Sequence, residues 1–285
     1  MIAWMAFLIL VIGTMTLSTS FAAIRSDDVW WIPENVTVSG EKIDVLFYFI
    51  FYVTLIVFIL TQIAMVYFMI KYRRQDGVKA VYNHGNNRLE IIWTAIPLVF
   101  FLCLGFYGNV SWSEWKRQPI PANALQVDIV AQQFGWNMRY TGPDGILGKT
   151  DDKLMDGGNI FGVVVDDSNG KDDIKTYNDM VVPVGIPIHL HLRSIDVIHS
   201  FYVPEFRLFQ DVVPGKKISW TWFQANKTGD FQIACSQLCG SGHYKMYGKL
   251  RVVSQEEFAK WLKEHEPQPQ TASFPSQTPT VALHP

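Results

Sequence analysis

Two uncharged apolar runs, joined by a short basic linker, limit this chain more than any other feature. Residues 45–70 read VLFYFIFYVTLIVFILTQIAMVYFMI and residues 91–110 read IIWTAIPLVFFLCLGFYGNV. Each reaches the roughly 20 residues that a bilayer core demands. A helix of that length buried in a soluble protein would normally show a polar face, and these show none. A transmembrane helical hairpin is therefore expected over residues 44–111. Pro97 lies inside the second run, where a membrane helix tolerates it better than a soluble one. The linker carries Lys71, Arg73, Arg74, Lys79 and Arg88 against Asp76 and Glu90. That excess of positive charge places the linker in the cytoplasm and both open ends of the hairpin outside.

Residues 1–24 are also apolar and uncharged, with small residues at Ala22 and Ala23. They read either as a cleaved signal peptide, although the basic leading segment is missing, or as an extra transmembrane helix. Both alternatives place Arg25 to Glu41 outside, so the topology of the remaining chain is the same. A net charge of −2 at 285 residues gives no sign of the strongly basic balance that nucleic acid or a polybasic membrane contact would select. With three cysteines, one of them in an apolar run, there is no disulfide framework to read.

Beyond residue 124 the pattern changes. Leu125–Val130 alternates apolar and polar, as do the stretches around 186–192, 218–222 and 246–253. Pro183, Gly185, Pro187, Pro204, Pro214, Gly215 and Gly229 punctuate them. Short strands between such turn signals predict an all-β antiparallel sandwich or barrel over residues 124–254. An Asp- and Gly-rich insertion at 141–178 is expected to be a solvated loop or hairpin. Its run Asp166-Asp-Ser-Asn-Gly-Lys-Asp-Asp lacks the full pattern of a calcium loop. A short helix comes next at 255–266, with Ser254 as N-cap and Glu257 three residues on. The Pro/Gln/Thr/Ser-rich tail, 267–285, is expected to be disordered.

The chemistry is concentrated in Cys235-Ser-Gln-Leu-Cys239-Gly-Ser-Gly-His243-Tyr-Lys-Met246, a C-x3-C-x3-H-x2-M spacing. Two thiols, an imidazole and a thioether form a soft donor set that selects copper. Zinc seldom uses a thioether, and a single blue-copper ion uses one cysteine. Two cysteines offered to copper suggest two ions bridged by sulfur. A disulfide is the other use of the pair, but it leaves His243 and Met246 unexplained and removes the thiolates that a metal needs.

Upstream stands Asp196-Val-Ile-His199-Ser-Phe-Tyr-Val-Pro204, and between the two runs lies Asp211-Val-Val-Pro-Gly215. Together these resemble the binuclear copper (CuA) domain of cytochrome c oxidase subunit II, and the likeness extends from about residue 43 to 262. The resemblance implies a cupredoxin-like Greek-key barrel with its metal on loops at one end. It also implies that His199, Cys235, Cys239, His243 and Met246, with the backbone carbonyl of Gln237, hold two copper ions. Most members carry Glu at the Gln237 position, where the side chain also reaches a magnesium ion. Gln237 keeps the carbonyl and lacks the carboxylate, so the magnesium site loses its support in this chain.

The same resemblance supplies the wider setting. Electrons arrive from cytochrome c and leave to haem a in subunit I. There oxygen is reduced to water at a haem–copper (CuB) centre with proton pumping. The expected partners are subunits I and III, cytochrome c and membrane lipid, with no nucleic acid. The expected location is the bacterial inner membrane, spanned more than once, with the copper domain on the periplasmic side. No oxygen-reducing site is expected in this chain. Glu90 falls where the family marks the cytoplasmic mouth of a proton path, although a helix-start carboxylate is an ordinary feature. Phe134 occupies the position of the aromatic that receives electrons, and Trp136 matches a second aromatic. His189 and His191 share one face of a strand, where sheet polarity is the expected role. A quinol oxidase subunit II would have lost the copper ligands, which are present here. A tethered copper carrier would not carry paired helices built to dock into a complex.

Overall fold

A computed structural model describes residues 32–117, 119–215 and 219–267. The expectations for 1–24 and nearly all of the 267–285 tail lie outside the described residues. Two long helices come first, α1 (Gly40–Lys71) and α2 (Asn87–Lys116). Both are long and apolar enough to cross a membrane, and neither apolar window is buried by the other described residues. Their apolar side chains project on every side, as a lipid-facing helix requires. Both helices extend past the apolar runs, and their outer ends reach the β domain. Asn86 caps α2, its Oδ1 accepting from the N–H of Arg88 at 3.1 Å and of Leu89 at 3.3 Å.

Ten strands make up the β domain: β1 (Leu125–Gln132), β2 (Gly135–Tyr140), β3 (Ile174–Tyr177), β4 (Asp179–Pro183), β5 (Pro187–Ser194), β6 (His199–Val203), β7 (Leu208–Val212), β8 (Ser219–Gln224), β9 (Gly229–Cys235) and β10 (Tyr247–Val253). They form two five-stranded sheets, in the orders β3-β2-β1-β5-β8 and β4-β10-β9-β6-β7. Most neighbours are antiparallel, as expected, but β1–β5 and β4–β10 run parallel. Strands that enter a sheet after crossing from the other one need not keep the hairpin direction, and the alternation of side chains carries no sign of it. Val127, Ile129, Met138, Tyr140, Leu190, Phe201, Ile233 and Leu250 are fully buried between the sheets. The chain ends its described part in α3 (Gln255–His265), which opens on a complete capping box between Ser254 and Glu257. Phe258 and Trp261 turn from α3 into the core.

The insertion, expected as a solvated loop or hairpin, closes an antiparallel β2–β3 pair and also covers part of the first sheet. Residues 174–177 of it form the edge strand β3, paired with β2. The rest, with 3-10 turns at Asp152–Leu154 and Ser168–Gly170, folds back over the outer face of the first sheet. β1 is consequently buried on both faces, and Asp128 is only 3% exposed although its strand alternates in sequence. Arg139 and Arg193 both grip Asp128, at 2.8 and 2.6 Å. Their remaining hydrogens reach Asp173 at 2.7 Å and Asp152 at 3.1 Å, both from the insertion. Buried charges persist only when paired and hydrogen-bonded in this manner.

Among the described residues, two side chains that join the hairpin to the barrel are Arg207 and Lys116. Arg207 forks onto Asp44 of α1, Nε to Oδ1 at 2.6 Å and Nη2 to Oδ2 at 3.0 Å. Lys116, at the end of α2, donates to Gln210 Oε1 at 2.8 Å and to the carbonyl of Trp220 at 3.0 Å.

Candidate metal centre

Five predicted side chains and one predicted carbonyl come together at one end of the barrel. Cys235 closes β9, Cys239 sits on the loop after it, His243 starts a 3-10 turn and Met246 ends it. His199 opens β6, the neighbour of β9, which carries it to the same end. The two Sγ atoms lie 3.8 Å apart, and both thiols are free. His199 Nδ1 stands 3.9 Å from Cys235 Sγ, and His243 Nδ1 stands 3.6 Å from Cys239 Sγ. Met246 Sδ is 3.7 Å from Cys239 Sγ, and the Gln237 carbonyl is 3.2 Å from Cys235 Sγ. Each thiol thus has an imidazole nitrogen within 4 Å. Among the described residues, His199, Cys235 and Cys239 are the group of three His, Cys, Asp or Glu side chains whose ligand atoms all lie within 4.8 Å. All three are buried.

The electrostatics of the pair favour a cation. Burial works against charge on Cys235, but hydrogen bonds with His199 and with the backbone at Ser200 and Gln237 outweigh it and bring the thiol down to about 6. Burial and then the adjacent Cys235 charge push Cys239 up to about 12. The two thiols titrate as one coupled unit, in which the first proton leaves readily and the second does not. A metal ion between them removes that obstacle by supplying positive charge where the second thiolate must form. The donor set therefore fits a soft, thiolate-binding ion such as copper.

Sequence reasoning missed the residues that hold this loop. Asp196 accepts from His199 Nε2 at 2.8 Å and from the backbone N–H groups of Gln133 and Val197, each at 2.6 Å. Those bonds outweigh burial and hold its carboxyl below the usual range, while His199 is raised because its bonds to Cys235 and Asp196 outweigh its own burial. Gln133 Nε2 donates to the Cys239 carbonyl at 2.6 Å. The D-V-x-H spacing carries the only sequence sign of Asp196, and Gln133 carries none. Gly240 is required by geometry: its φ is +133°, and a Cβ there would stand 2.8 Å from Gln133 Nε2 and 3.1 Å from Phe134 Cζ.

The aromatic expectations separate. Phe134 is partly exposed and lies against the ligand loop at Gly240 and Gly242. Trp136 is fully buried, with its ring 6.3 Å from His199 and 5.3 Å from Phe201, so a docking protein cannot touch it. Glu90 lies exposed in the first turn of α2, at the end of the hairpin away from the barrel. His189 and His191 sit on the outer face of β5, apart from the thiols.

A lipid-type helical hairpin that carries a Greek-key barrel, with a buried His/Cys/Cys cluster at one end, defines a membrane-anchored, cupredoxin-like protein with a thiolate metal site. Residues 125–253 match the family model described as cytochrome C oxidase subunit II, periplasmic domain, and residues 30–109 match its transmembrane domain. The chain is 34% identical over 241 residues to the alternative cytochrome c oxidase subunit 2 of Bradyrhizobium diazoefficiens, across 83% of this chain and 84% of that one. It is 31% identical over 206 residues to the cytochrome c oxidase subunit 2 of Cereibacter sphaeroides, across 68% and 65%. Among solved structures, the periplasmic domain of subunit II of cytochrome oxidase from Bradyrhizobium japonicum is 33% identical, covering 52% of this chain and 96% of that one, with a TM-score of 0.38. The chain belongs to the cytochrome c oxidase subunit II family. It is a membrane-inserted subunit of a haem–copper oxidase with a periplasmic domain, and its His/Cys/Cys cluster is compatible with copper.

Proposed function

We propose that this chain is the electron-accepting subunit of a cytochrome c oxidase in a bacterial inner membrane. Its division is a hairpin over 44–111, a periplasmic copper domain over 124–254 and a short helix over 255–266. The observation that carries the proposal is the pair of free thiols 3.8 Å apart, each with an imidazole Nδ1 within 4 Å. His199, Cys235, Cys239, His243, Met246 and the Gln237 carbonyl would hold two copper ions. Held there, the ions would supply a one-electron relay between cytochrome c and haem a of subunit I, where oxygen would be reduced and protons pumped.

The chain's own residues supply rigidity for that transfer. β6 and β9 fix His199 and Cys235 relative to each other, and Asp196 and Gln133 restrain the ring and the loop. A site whose donors cannot move changes little between its two redox states. Phe134, on the outside of the ligand loop, is the aromatic through which a docked donor would make contact. Glu90, at the opposite end of the hairpin, would stand at the mouth of a proton path. Gln237 offers no carboxylate, so a magnesium ion would lack the charged side-chain ligand that most of the family provides there. Subunits I and III would pack against the apolar faces of α1 and α2, which nothing among the described residues covers.

Copper analysis of the purified complex tests the proposal. Two copper ions per chain are expected at this site, with near-infrared absorption and co-purifying haem a. Cys235→Ser is expected to abolish that absorption, because it removes one of the two thiolates that would hold the ions. A Cys235→Ser protein that keeps the band, or a wild-type chain with a single ion, overturns it.

A further inference from the structure

His189 and His191 alternate along β5, so both imidazoles leave the same face of the first sheet. Their ring centroids are 4.1 Å apart. β1 runs parallel beside them and brings Gln126 opposite His189. The Gln126 amide donates through Nε2 to the Ala124 carbonyl at 3.1 Å, which turns Oε1 toward the histidines. His189 Nδ1 lies 2.7 Å from that oxygen and His191 Nε2 lies 2.9 Å from it. The N–H groups of His189 Nδ1 and His191 Nε2 thus both donate to one amide oxygen, and the three side chains converge from two adjacent strands. Mere sheet polarity does not require this convergence, since either histidine could instead turn outward to water.

We propose that His189, His191 and the side-chain oxygen of Gln126 form a second metal site, separate from the thiolate centre, for a borderline divalent ion of the zinc type. Imidazole nitrogen suits zinc and copper(II), and four-coordinate zinc readily takes three protein donors and a water. Both rings are ready for this role because burial keeps them neutral: His189 is pushed down to about 4, burial first and His191 second, and burial lowers His191 as well. Protons therefore compete little with the metal at neutral pH. A bound ion would take the place of the two ring hydrogens that now point at Gln126, and His189 Nε2, the ring nitrogen turned away from Gln126, is buried with no partner.

The charges around the site set its character. Asp128 stands opposite His191, but Arg139 and Arg193 already hold its carboxylate. The donor set is then neutral, with two guanidinium groups nearby. This predicts an exchangeable site, weaker than a closed structural zinc site. Its place matters because the His189 ring packs edge-on to Trp220 at 6.0 Å, and Trp220 also receives Lys116 from the end of α2. A bound ion would brace β5 against β1 beside the joint between the hairpin and the barrel. The soft sulfur centre lies elsewhere and draws on different residues.

Isothermal titration of zinc into the full-length chain in detergent, loaded with copper and washed with chelator, tests this. One equivalent of zinc is expected to bind without loss of the near-infrared copper band. The His189→Gln/His191→Gln double variant is expected to lose that equivalent while keeping the wild-type circular dichroism and thermal midpoint. Single variants are expected to bind at least about tenfold more weakly. Equal zinc uptake by wild type and the double variant overturns the proposal. So does the absence of zinc binding to wild type, or uptake that bleaches the copper band in proportion. Should the double variant unfold, Gln126→Leu serves in its place: weakened zinc binding supports the site, and unchanged binding overturns it.

Discussion

The carboxylate of Asp196 lies 2.8 Å from Nε2 of His199, and this contact turns Nδ1 of the same ring toward Cys235 Sγ, 3.9 Å away. A carboxylate can only accept, so Nε2 carries the hydrogen and Nδ1 is left with its lone pair on the metal side. Carboxylate partners of this kind orient ligand imidazoles and raise their basicity. Asp196 is itself fixed by the N–H groups of Gln133 and Val197.

Asp196→Ala is accordingly expected to weaken copper binding by about 10–100-fold while leaving every proposed ligand in place. Asp196→Asn keeps an acceptor oxygen and should lose less. Competitive copper titration against a chelator of known affinity measures both. Wild-type affinity in Asp196→Ala would show that β6 alone orients His199.

Met246 is 2% exposed, with its sulfur 3.7 Å from Cys239 Sγ. A thioether is a weak axial ligand that tunes potential more than it holds the metal. Met246→Leu conserves volume, so its cost to stability should stay below about 1.5 kcal/mol. Copper should be retained, with a shifted reduction potential and slower electron transfer. A redox titration checks this, and complete loss of copper in the variant would contradict it.

The parts of this protein that could be read in advance are those written in contiguous residues. The hairpin comes from two uncharged runs, and α3 comes from Ser254 and Glu257. Cys235, Cys239, His243 and Met246 fall on one loop, so spacing reveals them as a set. What could not be read depends on residues far apart in the chain. Asp128 looks like the solvent side of a half-buried strand, because nothing local says that the insertion will cover it. Arg139, Arg193 and Asp173 meet there from three separate segments. Gln133 reaches the Cys239 carbonyl across more than a hundred residues, and the convergence of His189 and His191 on Gln126 depends on a parallel pairing that side-chain alternation does not encode. Trp136 shows the complementary failure: matching an aromatic motif says nothing about depth, and the ring is buried.

The Asp128 cluster predicts an unequal pair of mutations. Asp128 takes hydrogen bonds from Arg139 and Arg193 at sites that are nearly inaccessible to water. Asp128→Ala leaves two buried guanidinium groups short of a partner, a loss of about 3–5 kcal/mol. Asp152 binds Arg193 at 3.1 Å, but its side chain is 49% exposed. Asp152→Ala should cost no more than about 1 kcal/mol. Thermal unfolding of the full chain in detergent separates the two, and equal effects would mean that the insertion does not seal this face.

Glu90 stands in the first turn of α2, where Asn86 already provides the cap. Glu90→Gln should therefore leave the helix intact. In the assembled oxidase it should slow turnover while reduction of the copper centre by cytochrome c stays fast. Stopped-flow reduction and oxygen consumption, measured on the same preparation, distinguish these steps. Unchanged oxygen consumption removes Glu90 from the proton path.

The joint between hairpin and barrel gives the last prediction. Arg207 occupies the left-handed region at φ 52°, directly after the 3-10 turn Pro204–Phe206, and from there its side chain reaches past the barrel to α1. It donates to both oxygens of Asp44 and to the carbonyls of Pro33 and Pro204, at 2.6–3.0 Å. The pair is largely shielded, with side-chain exposures of 11% and 22%. Hydrogen bonds to charged groups in such settings contribute about 1.5–3 kcal/mol, so Arg207→Ala should loosen the segment that precedes α1. Arg207→Lys should not restore it, because an ammonium cannot form the two-pronged contact or reach the carbonyls in the same plane. Limited proteolysis at residues 32–40 provides the measurement. Faster cleavage is expected in both variants, with the copper spectrum unchanged because the joint lies on other strands than the ligand loop. If Arg207→Lys resists cleavage as well as wild type, charge alone holds the hairpin to the barrel and the fork geometry is dispensable.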